Sequence, residues 1–494
     1  MAKKLNPVSI NNFGIYGAIR RAEVDDNLIP DGAVISVKNF SFDQKGVATV
    51  RPGMTGLGAT IINRPPMPCV GLHNSLSGTA VAVFSEGGSS AIYVFSGSSW
   101  GVGVSGGTAS VRVRFVDFGS YTIALNFVYN TYTSMKVWAG GASGSSYWHD
   151  SGHSINPQNM WGYAPQYGEV YKSKVYLFGD TSKEGNPSRL YFSSVIDLQG
   201  SITFTPREDY VDINPGDGEG GTGLKRYSLE LLCFKPNYIY RFRTSGTDPD
   251  PLIKIGTRSN ESIVEGKKGL YFHHDSGIYK YTGGYPEEIS RAISDFITAI
   301  PYSQYDDIIG WSDPDHIYWS VGNLTIPEIG ETKVWKNVVL RYTESSQLWT
   351  IYSYANDIRA AITYNSGTAL SRIVGTDNGI VATHNSGTTD LGEPINYMIR
   401  TRYYDFGHSI NTKVIMQIAS LAEKAQGAVL MYQIDDDYTR WRTIGQQTNF
   451  STLYEDQSIQ FNRIAFQFTG NSRQEAPKIR TIEIIEMMLE DLRR

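Results

Sequence analysis

Leu229-Glu-Leu-Leu-Cys-Phe234, Lys235-Pro-Asn237 and Tyr238-Ile-Tyr-Arg-Phe242 read as two strands joined by a turn. Apolar and aromatic β-formers fill both arms, and Pro-Asn breaks the run between them. The unit recurs on both sides. Thr79-Ala-Val-Ala-Val-Phe84 is answered by Ala91-Ile-Tyr-Val-Phe95 across Ser85-Glu-Gly-Gly-Ser-Ser90. Tyr121–Phe127 is answered by Ser134–Trp138, and Lys174–Phe178 by Arg189–Ser193. Gly269–Phe272 pairs in the same way with Gly277–Tyr281, His316–Ser320 with Asn337–Tyr342, and Ser371–Gly375 with Gly379–Thr383. The hairpins are spaced about 40–55 residues apart. That is close to the period of a four-stranded propeller blade, about 40–45 residues. Dividing roughly 330 residues by about 45 gives about seven blades, with six to eight inside the error. Radial repetition also answers the problem of open edges in a chain with so many strands. No WD dipeptide or kelch-type Gly-Gly signature recurs in register.

The expected fold is all-β, in three parts. Residues 1–66 form an extended strap and linker, in which Ala33–Asn39, Phe40–Gly46 and Val47–Gly53 read as strand and turn units. Residues 67–395 form the propeller. Residues 396–494 alternate in period two over several runs, among them Lys413–Ile418, Gly427–Tyr432, Ile459–Phe468 and Lys478–Ile485. That pattern predicts an antiparallel β-sandwich. The last residues, Glu486 to Arg494, read as a short helix or a tail. One helix is predicted inside the propeller, over Pro286–Ile297, with apolar residues at 289, 292, 293, 296 and 297.

Composition supports this class. Of 494 residues, 50 are Gly and 32 are Tyr, while only 19% are charged. Bundles, coiled coils and charged disordered chains are excluded on that basis. Lys and Arg number 44 against 49 Asp and Glu, a formal charge of −5. There is no basic excess of the kind that reads DNA. Cys69 and Cys233 are too far apart for a metal motif and read as buried free thiols. Met1-Ala-Lys-Lys4 is not followed by an apolar segment, so no signal peptide is expected, and no run is long enough to span a membrane.

The search for chemistry returns weak motifs. Gly216-Asp-Gly-Glu-Gly-Gly221 matches G-x-G-x-x-G, but no strand precedes it, no helix follows, and two acids would repel phosphate. Asp212-Ile-Asn-Pro-Gly-Asp-Gly-Glu219 resembles a calcium loop, with Asp217 standing where an EF-hand requires Gly. Both stretches read as a surface loop. His273-His274-Asp275 reads as a turn, its histidines pointing to opposite faces. His149, Asp150 and His153 lie together in a Gly/Ser-rich loop, and Asp435-Asp436-Asp437 reads as a solvated hairpin tip. The pairs Asp306/Asp307 and Asp313/Asp315 are the carboxylates a glycosidase would need. The nine tryptophans, Trp100 to Trp441, fall at no constant spacing, which disfavours repeated sugar-binding pockets. Most Tyr and Phe are assigned to packing between blades. No catalytic, cofactor-binding or metal residue is assigned.

The most recognisable stretch is Asp26–Thr55. It contains Asn39-Phe-Ser-Phe42 and then Gly46-Val-Ala-Thr-Val-Arg51-Pro52-Gly53. This stretch resembles the start of the tail hub, or nozzle, proteins of short-tailed bacteriophages. Those chains open with an N-x-x-F … G-x-x-x-x-R-P-G strap, continue as a β-propeller and end in a small β-domain. Leu231–Phe242, the segment from Gly269 to Ile297, and Asn462–Phe468 with Ile482–Ile485 are similar to their later order. The resemblance implies a structural virion protein without enzymatic activity. It implies a homo-hexameric ring below the portal and its adaptor, with tail fibres or spikes outside and a needle or plug at its end. Genomic DNA would pass through the lumen without sequence-specific binding, and assembly would take place in the host cytoplasm. The alternatives are a glycan- or receptor-binding propeller module of a phage tail, and a propeller glycosidase.

Overall fold

In the computed structural model, the described residues are 3–489 apart from 15–16, 19–28, 31, 45, 59–66, 76–77, 87–88, 108–111, 120, 128–134, 139–147, 150–159, 161, 184, 196–201, 243–249, 329–330, 368 and 435–439. The fold is all-β with a propeller arrangement. Six separate four-stranded antiparallel sheets follow one another along the chain. Sheet I runs from Cys69–Asn74 to Trp100–Gly107, sheet II from Arg114–Phe118 to Trp148–His149, and sheet III from Pro165–Tyr171 to Tyr210–Asp212. Sheet IV runs from Gly223–Tyr227 to Asp250–Ile253, sheet V from Val264–Glu265 to Glu287–Glu288, and sheet VI from Ile309–Ser312 to Leu348–Ser353. Each predicted hairpin supplies the two middle strands of its sheet, as in Leu231↔Phe242 of sheet IV and Trp319↔Leu340 of sheet VI.

A further set, VII, joins Ile358–Asn365, Leu370–Thr376 and Val381–His384 to a strand from far upstream, Met54–Gly56. The strap therefore provides the fourth strand of the last set. Aromatic and aliphatic side chains fill the spaces between neighbours. Phe234 meets Phe272 between IV and V at 5.5 Å, and Tyr271 meets Tyr342 between V and VI at 6.0 Å. Phe95 of sheet I meets Tyr364 of set VII at 6.2 Å, which closes the circle. The Tyr and Phe of the hairpins are thus core residues, as expected. Cys69 and Cys233 are buried free thiols, and burial pushes the Cys69 thiol up to about 12.

The strap is woven into the C-terminal part. Lys3–Leu5 and Val8–Ile10 pair with the long last strand, Lys478–Leu489. Ala48–Val50 joins the same strand and carries Phe40–Ser41 beside it. Val34–Lys38 pairs instead with Glu393–Thr401, at the edge of a second sheet that contains Ile464–Ser472, Val429–Ile434 and Arg442–Gln446. The buried faces of both sheets share one apolar core with sheet VI, through Trp319 and Trp335 of its hairpin and Ile351 of its last strand.

Three expectations change. The predicted helix over Pro286–Ile297 is a strand at Glu287–Glu288, a 3-10 turn at Arg291–Ile293 and a single helical turn at Ser294–Thr298. The edge of Gly277–Tyr281 offers hydrogen bonds that a helix start would leave unmade, and Glu287 and Glu288 take them. The predicted strand Ile459–Phe468 is two strands. Ile459–Phe461 pairs with Lys413–Glu423, while Ile464–Ser472 belongs to the other sheet. Residues 486–489 continue the last strand rather than forming a helix, because Met487 and Met488 are paired on both sides.

Where the strap passes set VII the packing is tight. A Cβ on Gly53 would overlap the backbone of Thr389, whereas one on Gly56 would meet nothing. Gly53→Ala is expected to lower the thermal midpoint, with a cost of about 1–3 kcal/mol, and Gly56→Ala to leave it within about 1 kcal/mol of the parent. Differential scanning calorimetry of the two variants checks this.

Candidate functional site

The first strands of the sheets surround a central channel with a cavity of about 620 Å³. Gly71, Gly168 and Gly310 on these strands keep the walls thin. Two arginines from the start of sheet II reach across this space. Arg112 donates to the Arg359 carbonyl of set VII at 2.5 Å and to Asp307 at 3.2 Å. Arg114 donates to both oxygens of Glu261, ahead of sheet V, at 2.6 and 2.9 Å, and lies 4.6 Å from the Tyr167 ring. Burial opposes ionisation of Glu261. The charge and hydrogen bonds of Arg114 overcome it and hold the carboxyl down to about 2. Bidentate pairing of this kind fixes position as well as charge. The two arginines form a bar across the channel.

Further along the channel, Asp117 accepts from the Thr122 hydroxyl at 2.6 Å and pairs with His73 at 2.8 Å. Glu169 accepts from the Val170 amide at 3.2 Å, with the Lys225 ammonium 3.9 Å away. Arg226 lines the channel too.

The second constellation is the strap anchor. Arg51 of the Arg-Pro-Gly stretch is 1% exposed. It donates to both oxygens of Asp390 at 2.9 and 2.6 Å, to the Ser353 carbonyl at 2.9 Å and to the Asn39 side chain at 2.8 Å. Its guanidinium stacks 3.7 Å from the Tyr354 ring. Asn39, in a left-handed conformation at φ 62°, also accepts from the Ser353 amide at 2.8 Å. One buried cation thus ties together the strap, sheet VI and the segment leading to the terminal sheets.

A third contact lies beside it. His316 of sheet VI sits between Asp313 at 2.7 Å and Asp43 of the strap at 3.3 Å, and Arg341 donates to Asp43 at 2.6 Å. Burial works against the charge on His316, but the two carboxylates raise its pKa. Asp43 and Asp313 are held below the usual carboxylate range, against burial, chiefly by His316. The carboxylates contribute stability above about pH 4 that is lost as pH falls through their depressed pKa values. The raised histidine contributes fully below about pH 6.5, and its contribution is lost as pH rises through its folded pKa. The clip is therefore tightest between these limits. Because Asp43 is half exposed, the loss on going from pH 6 to pH 9 is expected to be only about 1 kcal/mol. It is read as the difference between the pH–stability curves of the parent and His316→Asn. Parallel curves would refute it.

The residues singled out by sequence are placed as follows. The loop holding Gly216–Gly221 is not free. Lys235, whose side chain is fully buried, donates to both oxygens of Asp217 at 2.7 and 2.8 Å, to the Asn214 carbonyl at 3.0 Å and to Ser188 at 3.2 Å. Tyr240 adds a bond to Asp217 at 2.9 Å. Asp217, the residue that departs from the calcium-loop pattern, is held by the ammonium of Lys235. His273 and His274 are not in a turn but close the strand Leu270–His274, because they pair with Ile278 and Gly277; His273 is buried with Tyr305 edge-on at 5.0 Å, and burial pushes it down to about 3. His274 bonds Ser276 at 2.8 Å. Asp275 pairs with Arg258 at 3.0 Å. Asp313 is held by His316 and Tyr318, Asp315 accepts from Ser345, and Asp307 faces Arg112 and Arg359, so these acids are already engaged. Trp311, Trp319, Trp335 and Trp349 are buried. His149 lies on the last strand of sheet II. Asp150, His153 and Asp435–Asp437 lie outside the described residues. Among the described residues no group of three or more His, Cys, Asp or Glu is arranged to hold a metal ion, and no helix is long and apolar enough to cross a membrane.

Sequence reasoning missed the roles of Arg114, Glu261 and Lys235. Asn39 and Arg51 were noticed only as part of a resemblance. A lysine in a Lys-Pro-Asn turn gives no sign that it is buried.

No family model matches the chain, and no curated protein matches it. Among solved structures it is similar to YCF48 from Cyanidioschyzon merolae, at 10% identity and a TM-score of 0.40 over 66% of this chain and 97% of that one. It is also similar to virginiamycin B lyase from Staphylococcus aureus, at 12% identity and a TM-score of 0.41 over 66% of this chain and 97% of that one. A third similarity is to the extracellular domain of the hybrid two-component system BT4673 from B. thetaiotaomicron. There the identity is 10% and the TM-score 0.40, over 67% of this chain and 39% of that one.

Proposed function

We propose that this chain is a structural, non-catalytic ring subunit of a short-tailed phage. It would be a tail hub or nozzle that continues the DNA channel below the portal and adaptor. In this reading sheets I to VI and set VII are seven blades, and the two terminal sheets form a sandwich. The observation that carries the reading is the path of residues 34–56. They enter one terminal sheet, cross to the other, anchor through Arg51 and end as the outer strand of set VII. Propeller and terminal sheets are thereby held as one stiff unit, as a ring under the pressure of a packaged genome requires.

The conduit would lie between copies. A duplex does not thread a cavity of about 620 Å³ that Arg112 and Arg114 cross. Six copies at −5 each sum to −30. A lumen of that sign avoids the phosphate contacts that would slow passage. Fibres or spikes would attach outside, and a plug would close the end.

The test is the mass of the purified protein, alone and mixed with a portal–adaptor assembly, with negative-stain images of each. A ring of about six copies, free or formed on the adaptor, is expected. A monomer that ignores the adaptor refutes the proposal, and glycan-array binding would then favour the receptor-binding alternative.

A further inference from the structure

Three loops of the terminal sheets, at residues 423–428, 447–450 and 471–477, enclose a cavity of about 740 Å³. Their backbones are firmly held. Gln447 is 1% exposed, and its side chain donates to the carbonyls of Asn449 at 2.5 Å and Phe450 at 3.3 Å. The Gln447 carbonyl accepts from the Gly427 amide at 2.9 Å, which ties the second loop to the first. The third loop is fixed by the Val50 amide on the Pro477 carbonyl at 2.9 Å and by the Thr388 hydroxyl on the Arg473 carbonyl at 3.0 Å. The side chains that line the cavity are not spent in this way. Among the described residues the amides of Gln426, Asn449, Asn471 and Gln474 make no side-chain hydrogen bond. Phe450 lines the same cavity and is 51% exposed. Charge is nearly balanced. Glu423 is taken by Arg480 at 2.7 Å and Lys424 pairs with Glu475 at 3.4 Å, which leaves Arg473 as the one lining charge without a partner among the described residues.

From this we infer that the loop end of the terminal sheets is a saccharide-binding site. A sugar hydroxyl both donates and accepts, and a side-chain amide carries both functions next to each other. The exposed ring of Phe450 offers an apolar face for the C–H groups of a pyranose, with only two rotors to freeze. The cavity falls in the size range of small-ligand sites, and loops on a fixed scaffold are where binding residues collect. A ligand rich in phosphate would call for more than one free cation. Because Gln447 and the strap already hold the loops, little ordering has to be paid for on binding. The site is separate from the blades and the channel, and it does not rest on the ring reading. A monomer that binds sugar would refute the ring alone, and a ring that binds none would refute this site alone.

Saturation-transfer NMR on the full chain provides the test, with maltotriose, N-acetylchitotriose and trigalacturonate as probes. Saturable transfer to at least one of them is expected. It should weaken about tenfold or more in Phe450→Ala and in Asn449→Ala/Asn471→Ala. It should not change in Leu453→Ala, which removes an exposed apolar side chain outside the cavity lining. Circular dichroism and the thermal midpoint establish that the variants are folded. Binding of the neutral probes assigns the site to hydroxyl recognition, and binding of trigalacturonate alone assigns it to acidic sugars held through Arg473. Failure of all three probes to saturate, or equal binding by Phe450→Ala and the double variant, overturns the inference.

Discussion

Arg51→Ala is expected to cost about 3–5 kcal/mol, the scale for breaking a buried ion pair by removing one partner. The reason is what it leaves behind. Asp390 is 2% exposed and would be left buried without its counter-ion. The Ser353 carbonyl and the Asn39 side-chain oxygen would each lose a donor. The Tyr354 face would open onto a cavity. Strap, sheet VI and the start of the terminal sheets meet at this point, so the damage should spread to all three. Urea denaturation gives the stability, and limited proteolysis within residues 34–56 reports whether the strap has come loose. Arg51→Met with Asp390→Leu removes both charges and should recover much of the loss. A single variant as stable as the parent would show that the anchor is not needed.

The second large effect concerns Lys235 and Asp217, and it is asymmetric. Asp217 lies on a surface loop with its side chain 8% exposed, whereas the Lys235 side chain is 0% exposed. With Lys235→Met, the carboxylate can turn outward to water, and a cost of about 2–3 kcal/mol is expected. With Asp217→Leu, the ammonium stays enclosed, with only Asn214 and Ser188 to receive it. It is left enclosed without a counter-ion, at about 3–5 kcal/mol. The order of the two urea midpoints checks this. If Lys235→Met proved the more damaging, the loop would not be free to relax as described.

These two buried cations mark the limit of what the sequence discloses. The hairpins were readable because their middle strands are rich in apolar and aromatic β-formers with polar or Gly-containing turns between them. Leu231–Phe242 carries its own evidence. The strands before and after were harder to read. Several of those lining the channel carry glycine where the neighbouring sheet approaches. A Cβ on Gly71 would lie 2.7 Å from the Val113 carbonyl, and one on Gly168 would lie 2.5 Å from Val116. A glycine there reads as a turn signal, although its cause is packing. The strap was legible as strand and turn, but its partners were not, because nothing local in Ala48-Thr-Val50 points to Lys478 and Ile479. Channel charges were invisible for the same reason. Arg114 and Glu261 are 147 residues apart and meet only when sheets II and V face each other.

The weaving of the strap also sets an order of events during synthesis. Met54–Gly56 cannot pair until Val381–His384 has been made, and Lys3–Leu5 must wait for Met487–Leu489. At about 5–20 residues per second, the first strand stays single for roughly 25–100 s. A chain cut short before Val381–His384 lacks a partner for Met54–Gly56, one cut short before Lys478–Leu489 lacks the strand that Lys3–Leu5 and Val8–Ile10 pair with, and either keeps open edges that invite aggregation. The strap thus completes the fold late, after the strands that it pairs with have been made.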